Sequence, residues 1–146
     1  MKLLGIATRT KNQAPMNTHE WAEISLSDGV VGDFRRRPGK RQVTVMSKAQ
    51  WQSACVEIGT DLPWTIRRAN LLVDDYHFSA NDLGKIIQIG DVLLQVMDET
   101  EPCHKMDQQH EGLRAALTPQ WRGGVCCKVI NSGELKIGEE VLINPK

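Results

Sequence analysis

At 146 residues the chain has an ordinary single-domain length, enough to bury a core without disulfides or a structural metal. Forty per cent hydrophobic and 25% charged residues describe a soluble globular protein, and 18 basic against 18 acidic side chains leave no net field to attract nucleic acid or an anionic membrane. An anionic partner must therefore be met by a local cluster of charge.

Residues 1–8 hold too short an apolar run for a signal peptide, and no stretch approaches the ~20 apolar residues of a membrane helix, so a cytoplasmic protein with no membrane partner is expected. In that compartment Cys55, Cys103, Cys126 and Cys127 are expected to be reduced, as packing groups, metal ligands or reactive thiols before structural bridges. Nothing marks a linker or low-complexity tract, and residues 1–146 are expected to form a single domain.

In chain order, strands are expected at residues 2–8 and 20–26, the second with Ala22, Ile24 and Leu26 alternating with polar neighbours and so burying one face. Turns follow at Asp28-Gly29 and Gly32-Asp33. A basic loop from Phe34 to Arg41, carrying Arg36, Arg37, Lys40 and Arg41, precedes a strand at 42–46 and is either a solvated surface or an anion-collecting rim. Ser47 and Gln50 predict a capping box for a helix whose apolar stripe is Trp51, Ala54, Cys55 and Ile58 and which Gly59 ends, placing Cys55 in the core.

Further strands are expected at 70–73, 85–89, 92–99, 125–131, 134–137 and 140–143, with a second helix within 105–117. Segments 84–91 and 133–139 echo each other as strand, glycine turn, strand, the kind of turn that carries a chain round the corner of a small sheet. Short strands predominate, so the fold class expected is mainly β: a small closed or partly open β-barrel with one or two short helices.

Cys103 is the leading candidate for a working atom, because it follows Pro102 just past the strand at 92–99, on a loop carried by a rigid sheet. Arg67-Arg68-Ala69-Asn70 and Arg122-Gly123-Gly124 are the segments that would supply anion-binding surroundings. A neighbouring guanidinium favours the thiolate, which is both a soft metal donor and a sulfur nucleophile, and arginine also grips phosphate with two bonds. Asn70 offers a donor and an acceptor to a planar ring, or is a turn residue ahead of its strand.

Cys126 and Cys127 are adjacent on one strand and point to opposite faces, either as small packing groups or with one of them a resolving thiol for Cys103. Cys103, His104 and His110 match no standard finger spacing, so a closed four-ligand metal site is not expected. Trp21, Trp51, Trp64 and Trp121 do not interleave with basic residues; they read as core or pocket wall, and no nucleic-acid partner is expected.

The order of landmarks is Gly32-Asp33, Lys40 to Met46, Arg68-Ala69-Asn70-Leu71, Ile89-Gly90-Asp91, Pro102-Cys103, Arg122-Gly123-Gly124 and Ser132-Gly133 before Ile137-Gly138. As a set it resembles the MOSC domain, the C-terminal domain of molybdenum cofactor sulfurases, over about residues 5–143. The resemblance implies a β-barrel with a pocket for molybdenum cofactor (molybdopterin) or for a sulfur species destined for it. It puts the family cysteine at Cys103, as the molybdenum ligand in cofactor-binding members and as a persulfide carrier in sulfurase members.

The same resemblance makes Arg68, Asn70, Arg122 and Asp33 the implied cofactor-binding residues. Some stand-alone relatives look like reductases of N-hydroxylated compounds that draw electrons from a separate electron-transfer protein. Multidomain sulfurases fuse the domain to a pyridoxal-phosphate desulfurase; this chain has no such segment, so pyridoxal phosphate would enter only through a separate cysteine desulfurase partner. Many relatives also have a histidine two residues after Gly-Asp where this chain has Arg35, so no acid–base role is carried over there.

Three readings remain open on the residues: a protein that holds the cofactor or transferable sulfur on Cys103, a non-enzymatic barrel that binds a small anionic ligand or a protein partner, and a thiol-redox protein pairing Cys103 with Cys126 or Cys127.

Overall fold

The structure, a computed structural model, describes residues 1–34 and 38–144. Arg36 and Arg37 of the basic loop, and Arg35 at the position where relatives have histidine, lie outside the described residues. Eleven strands run β1 (Leu3–Thr8), β2 (Asn17–His19), β3 (Trp21–Ser25), β4 (Gly29–Val30), β5 (Val43–Ser47), β6 (Leu71–Val73), β7 (Ile86–Ile89), β8 (Val92–Glu99), β9 (Val125–Asn131), β10 (Gly133–Lys136) and β11 (Val141–Asn144). Eight form one sheet in the order β11-β7-β8-β9-β5-β6-β1-β2, and β10-β3-β4 form a second.

The large sheet curls until a bridge between Lys2 and Glu140 brings β1 toward β11. Beside that bridge Leu3 N donates to Glu139 O at 2.9 Å and Val141 N to Met1 O at 2.7 Å. This is the partly open form of the expected barrel: β11 touches β1, the strand next to the edge strand β2, without a continuous ladder. Inside it lie Ile6, Val45, Leu71, Leu94, Val125 and Cys127. The two echoing glycine segments differ in what they do, because the turn at Gly90 closes the β7–β8 hairpin whereas the turn at Gly138 passes the chain from the small sheet to the large one.

Strands β5 and β6 pair in parallel, which needs a crossover rather than a hairpin, and α1 (Lys48–Ile58) lies on that connection. β5 is buried along its whole length. Val43 and Val45 face the barrel, while Met46 packs with Trp51, Ala54 and Cys55 of α1 and with Leu113 and Leu117. A strand covered on both faces reads as a continuous apolar run.

The helix α1 starts as expected, with Ser47 Oγ accepting from Gln50 N at 3.1 Å and Gly59 closing it at φ 73°. The second half of the capping box is not formed. Gln50 turns inward instead: its Oε1 accepts from Phe78 N at 3.1 Å, and its Nε2 donates to Phe78 O at 3.0 Å and Gln120 O at 2.8 Å. The two buried backbone groups of Phe78, which would otherwise lack partners, together with the carbonyl of Gln120, outweigh one solvent-accessible cap bond.

The single helix expected within 105–117 is two, α2 (His104–Gln109) and α3 (Leu113–Leu117), so the described residues form three short α-helices rather than one or two. Gly112, at φ 88°, sits in the left-handed region between them and breaks the run. No helix among the described residues is long and apolar enough to cross a membrane.

Because its amide serves three remote backbone groups, Gln50→Ala should cost about 2–3 kcal/mol in urea denaturation, against about 1 kcal/mol for Ser47→Ala, which loses only the helix cap. Equal losses would show that the inward contacts of Gln50 contribute nothing beyond the cap.

Candidate functional site

A cavity of about 160 Å³ opens at one end of the barrel, where several chain segments arrive together. Arg9 follows β1, Thr44 lies on β5, Arg67 to Asn70 lead into β6, Thr100 to Cys103 leave β8, Lys105 and Met106 begin α2, and Gly123 precedes β9. Asp33 and Arg41 complete the wall.

Four of the residues chosen from the sequence, Cys103, Arg68, Asn70 and Asp33, meet at this cavity. Cys103 caps α2 with extended backbone (φ −120°), but its side chain makes no cap bond, and the thiol is exposed at the rim. Asp33 is buried at 4% exposure and its Oδ1 accepts from Arg9 N at 3.1 Å, tying the Gly32-Asp33 turn to the end of β1.

The Asn70 side chain is largely committed to the fold. Its Oδ1 accepts from Thr44 N at 3.1 Å and Thr44 Oγ1 at 3.2 Å, and its Nδ2 donates to Ala7 O at 3.2 Å. It therefore shapes the floor of the cavity and keeps one amide hydrogen beyond the Ala7 bond.

Arg68 closes a 3-10 turn (Trp64–Arg67) in the left-handed region, at φ 67°. Its guanidinium donates from Nη1 to Ala14 O at 3.0 Å and from Nη2 to Gln13 O at 3.2 Å. Arg122 is not brought to the cavity. It pairs with Glu57 at 2.8 Å and donates to Ala116 O at 3.0 Å, which anchors the turn to α1 and α3 and leaves Gly123 as that segment's contribution to the wall.

Arg67, passed over in favour of its neighbour, is the buried arginine of the site. At 8% exposure, its Nε donates to Gly123 O at 3.2 Å and its Nη2 to Thr100 O at 2.7 Å, so one side chain joins the Cys103 loop to the glycine turn. A side chain on Gly123 would run into Thr100 O and come within 3.0 Å of Arg67 Nη2, which explains the glycine there. Arg9 and Lys105 were also missed. The signal for Lys105 was its place two residues after Cys103; for Arg9 it was its place one residue after a strand end.

Five basic side chains, Arg9, Arg41, Arg67, Arg68 and Lys105, thus face two acidic ones, Asp33 and Glu101. Glu99, behind this wall, has its pKa raised by burial first and then by Glu101 and Asp98, with Arg67 opposing. Of the remaining cysteines, Cys127 is fully buried in the barrel, and burial pushes its pKa far up. Cys126 points the other way, its Sγ toward Asp98 O at 3.5 Å, with its pKa also raised by burial. Neither lines the cavity, and all four cysteines are free thiols. His104 and His110 form no metal cluster with Cys103, since no three His, Cys, Asp or Glu side chains converge among the described residues.

The molecule is a mainly β, partly open barrel with an exposed thiol on the rim of a cationic cavity. The family model of the MOSC domain matches residues 22–142, and the chain belongs to that family. A comparison with curated proteins found no match.

Among solved structures, the YUAD protein from Bacillus subtilis superposes with a TM-score of 0.84 at 15% identity, covering 99% of this chain and 96% of that one. YiiM from Geobacillus stearothermophilus gives 0.77 at 14% identity, covering 99% of this chain and 75% of that one. YiiM from Escherichia coli gives 0.73 at 16%, covering 100% and 71%. At such identities the likeness is one of fold.

The raised pKa of Glu99 has a definite sign for stability. Between the ordinary value of 4.5 and its raised folded value the native state holds a proton that the unfolded state has released, so the native state loses stability as pH rises through that interval. Glu99→Gln should therefore raise Tm at pH 7 and leave it unchanged below about pH 4, where both states are protonated. A fall in Tm at pH 7 would mean that the attraction to Arg67 outweighs burial and the like charges.

Proposed function

We propose that the protein binds a small sulfur- or metal-bearing anion in the cavity and holds it through Cys103, with molybdenum cofactor as the ligand that the family implies. The observation that carries this reading is the exposed Cys103 thiol on the rim of a cavity with five basic side chains. A thiolate is a suitable ligand for a high-valent, sulfur-ligated metal, and arginine and lysine suit the phosphate of a pterin cofactor.

The residues fit such a cofactor by their chemistry. No trio of protein metal donors gathers among the described residues, so a metal here would bring ligands of its own, as one held by a pterin dithiolene does. The hydroxyl of Thr100, on the cavity wall, is buried without a conventional hydrogen-bond partner, its neighbour being the weakly bonding Cys126 thiol. It is available to a polar ring edge. When bound, the cofactor supplies two-electron metal chemistry of the kind that reduces an N-hydroxylated compound. The chain supplies the thiol ligand from Cys103, the positive field from Arg41 and Lys105, and a wall fixed by Arg67 and Asn70; electrons would come from a separate protein.

The exposure of Cys103 favours a second reading, sulfur transfer, because a thiol at the rim is open to another protein. The Cys103 thiolate attacks the outer sulfur of a donor persulfide, such as that of a separate cysteine desulfurase. A new S–S bond forms on Cys103, the donor's S–S bond breaks, and the donor departs as its own thiolate, with the outer proton retained on the transferred sulfur.

Wild type and Cys103→Ala made in a cofactor-competent host should be assayed side by side for molybdenum, pterin and cyanide-releasable sulfur. Molybdenum with pterin that disappears in the variant supports the cofactor reading. Labile sulfur alone that disappears supports the carrier, and a small anion that still binds Cys103→Ala supports a plain binding barrel.

The cationic cavity makes a separate prediction. The Cys103 thiolate attacks both iodoacetate and iodoacetamide with loss of iodide, so the ratio of the iodoacetate rate to the iodoacetamide rate reports the local field rather than the degree of ionisation. Arg41→Gln and Lys105→Gln should each lower that ratio by about two- to fivefold, the effect of about 0.5–1 kcal/mol of partly exposed charge. An unchanged ratio in both would show that these charges do not act at the thiol.

A further inference from the structure

We propose that the loop of residues 9–16 is a lid over the cavity, and that Arg68 is the positioning residue that closes it when an oxyanion binds. This inference rests on the reading of the cavity as an anion site. The loop joins β1 to β2, and Arg9 and Met16 at its two ends both line the cavity. Its base is secured, with Arg9 N donating to Asp33 Oδ1 at 3.1 Å and Phe34 N to Arg9 O at 2.8 Å.

The crest is held differently. On one side of it a hollow of about 180 Å³ separates Gln13 from Gln108 and Gln109, and on the other a hollow of about 210 Å³ lies between Pro15 and the turn at Thr65 and Ile66. Arg68 lines both hollows and the cavity as well. Across this space its Nη1 reaches Ala14 O at 3.0 Å and its Nη2 reaches Gln13 O at 3.2 Å. The bond from Ala14 N to Lys11 O, at 3.1 Å, is internal to the loop and does nothing to hold it down.

Backbone strain marks the same pair. Gln13 and Arg68 are both in the left-handed region, at φ 64° and φ 67°, a conformation unfavourable for a non-glycine residue and kept where surrounding contacts demand it. The two residues are bonded to each other, Arg68 Nη2 to Gln13 O at 3.2 Å, so Arg68 grips the loop at its left-handed position. Ala14 beside it is buried, so the loop lies down on the protein in this form, and a ligand that orients Arg68 favours that form over one in which the crest is released.

A guanidinium has five N–H donors in one rigid plane, and the crest uses two. An oxyanion in the cavity that takes donors from the remaining three fixes the orientation of the plane and, with it, the two bonds to the crest. By linkage, a closed crest presents a pre-oriented Arg68 to the anion and raises its affinity. Lysine keeps the charge but has no fork, so it retains attraction for the anion without transmitting it to the loop.

The test uses the full chain with orthophosphate as probe and two readouts: amide hydrogen exchange of residues 10–16, and alkylation of Cys103. In wild type, saturating phosphate should slow exchange in the loop by about fivefold or more and slow alkylation of Cys103. In Arg68→Lys the protection of Cys103 should remain and the effect on the loop should vanish. In Arg68→Met the loop should exchange faster without phosphate, while unchanged exchange in β5 reports an intact barrel. Protection of Cys103 with no change in the wild-type loop would overturn the lid and leave the anion reading standing. A loop response that persists in Arg68→Lys would overturn the role of Arg68, and no effect of phosphate on either readout would remove the anion reading and the lid together.

Discussion

The hydrogen bonds of the Asn70 side chain hold together the end of the barrel on which the site is built. One amide bonds to both the backbone and the hydroxyl of Thr44 on β5 and to the carbonyl of Ala7 on β1, while Asn70 itself leads into β6. These are the three strands around the parallel junction, where no hairpin can hold neighbours together. Thr44 and Asn70 are both buried, so each of these bonds is one that water cannot replace. Arg9, Arg67 and Arg68 are the next residues along or before these strands, and their positions at the cavity follow from this knot.

The basic residues of the site divide by what their donors already do. Arg67 joins the Cys103 loop to the glycine turn, Arg68 reaches the β1–β2 loop, and Arg122, outside the cavity, anchors the turn to α1. Arg41 and Lys105 are exposed on the rim. Charge around the cavity is thus arranged in two ways: the guanidiniums of buried Arg67 and partly buried Arg68, bonded to carbonyls, set the shape, and the exposed Arg41 and Lys105 set the field at the rim. A buried guanidinium bonded to neutral carbonyls keeps its positive charge, so the arginines that shape the wall also contribute to that field.

Much of this was legible in residue order. The strands at 92–99 and 125–131 match the sequence reading at both ends because they are long, with buried positions recurring along them. β2 and β4 gave no such signal, being three and two residues long, and β2 has no buried residue. The inward turn of Gln50 was hidden because its partner, Phe78, lies 28 residues away and no local pattern points to it. The choice between Arg67 and Arg68 illustrates the same limit. Both stand in one motif, but a left-handed residue at 68 sends the neighbouring side chains in directions that spacing cannot supply. Arg122 was misplaced because its acid, Glu57, belongs to a helix remote in sequence.

The order of strands in the large sheet also bears on when the site comes into being. β1 lies beside β6 and β5 beside β9, so neighbours in space are distant along the chain, and the cavity wall draws on segments from Arg9 to Gly123. Such a topology closes large loops before long-range contacts repay them, and it folds more slowly than one built of local hairpins. No early fragment of the chain can hold a wall that needs both of its ends. The proposed ligand would therefore be loaded on the finished barrel, and a ligand held only there would stabilise the native state in proportion to the logarithm of its concentration, without guiding the path by which that state forms.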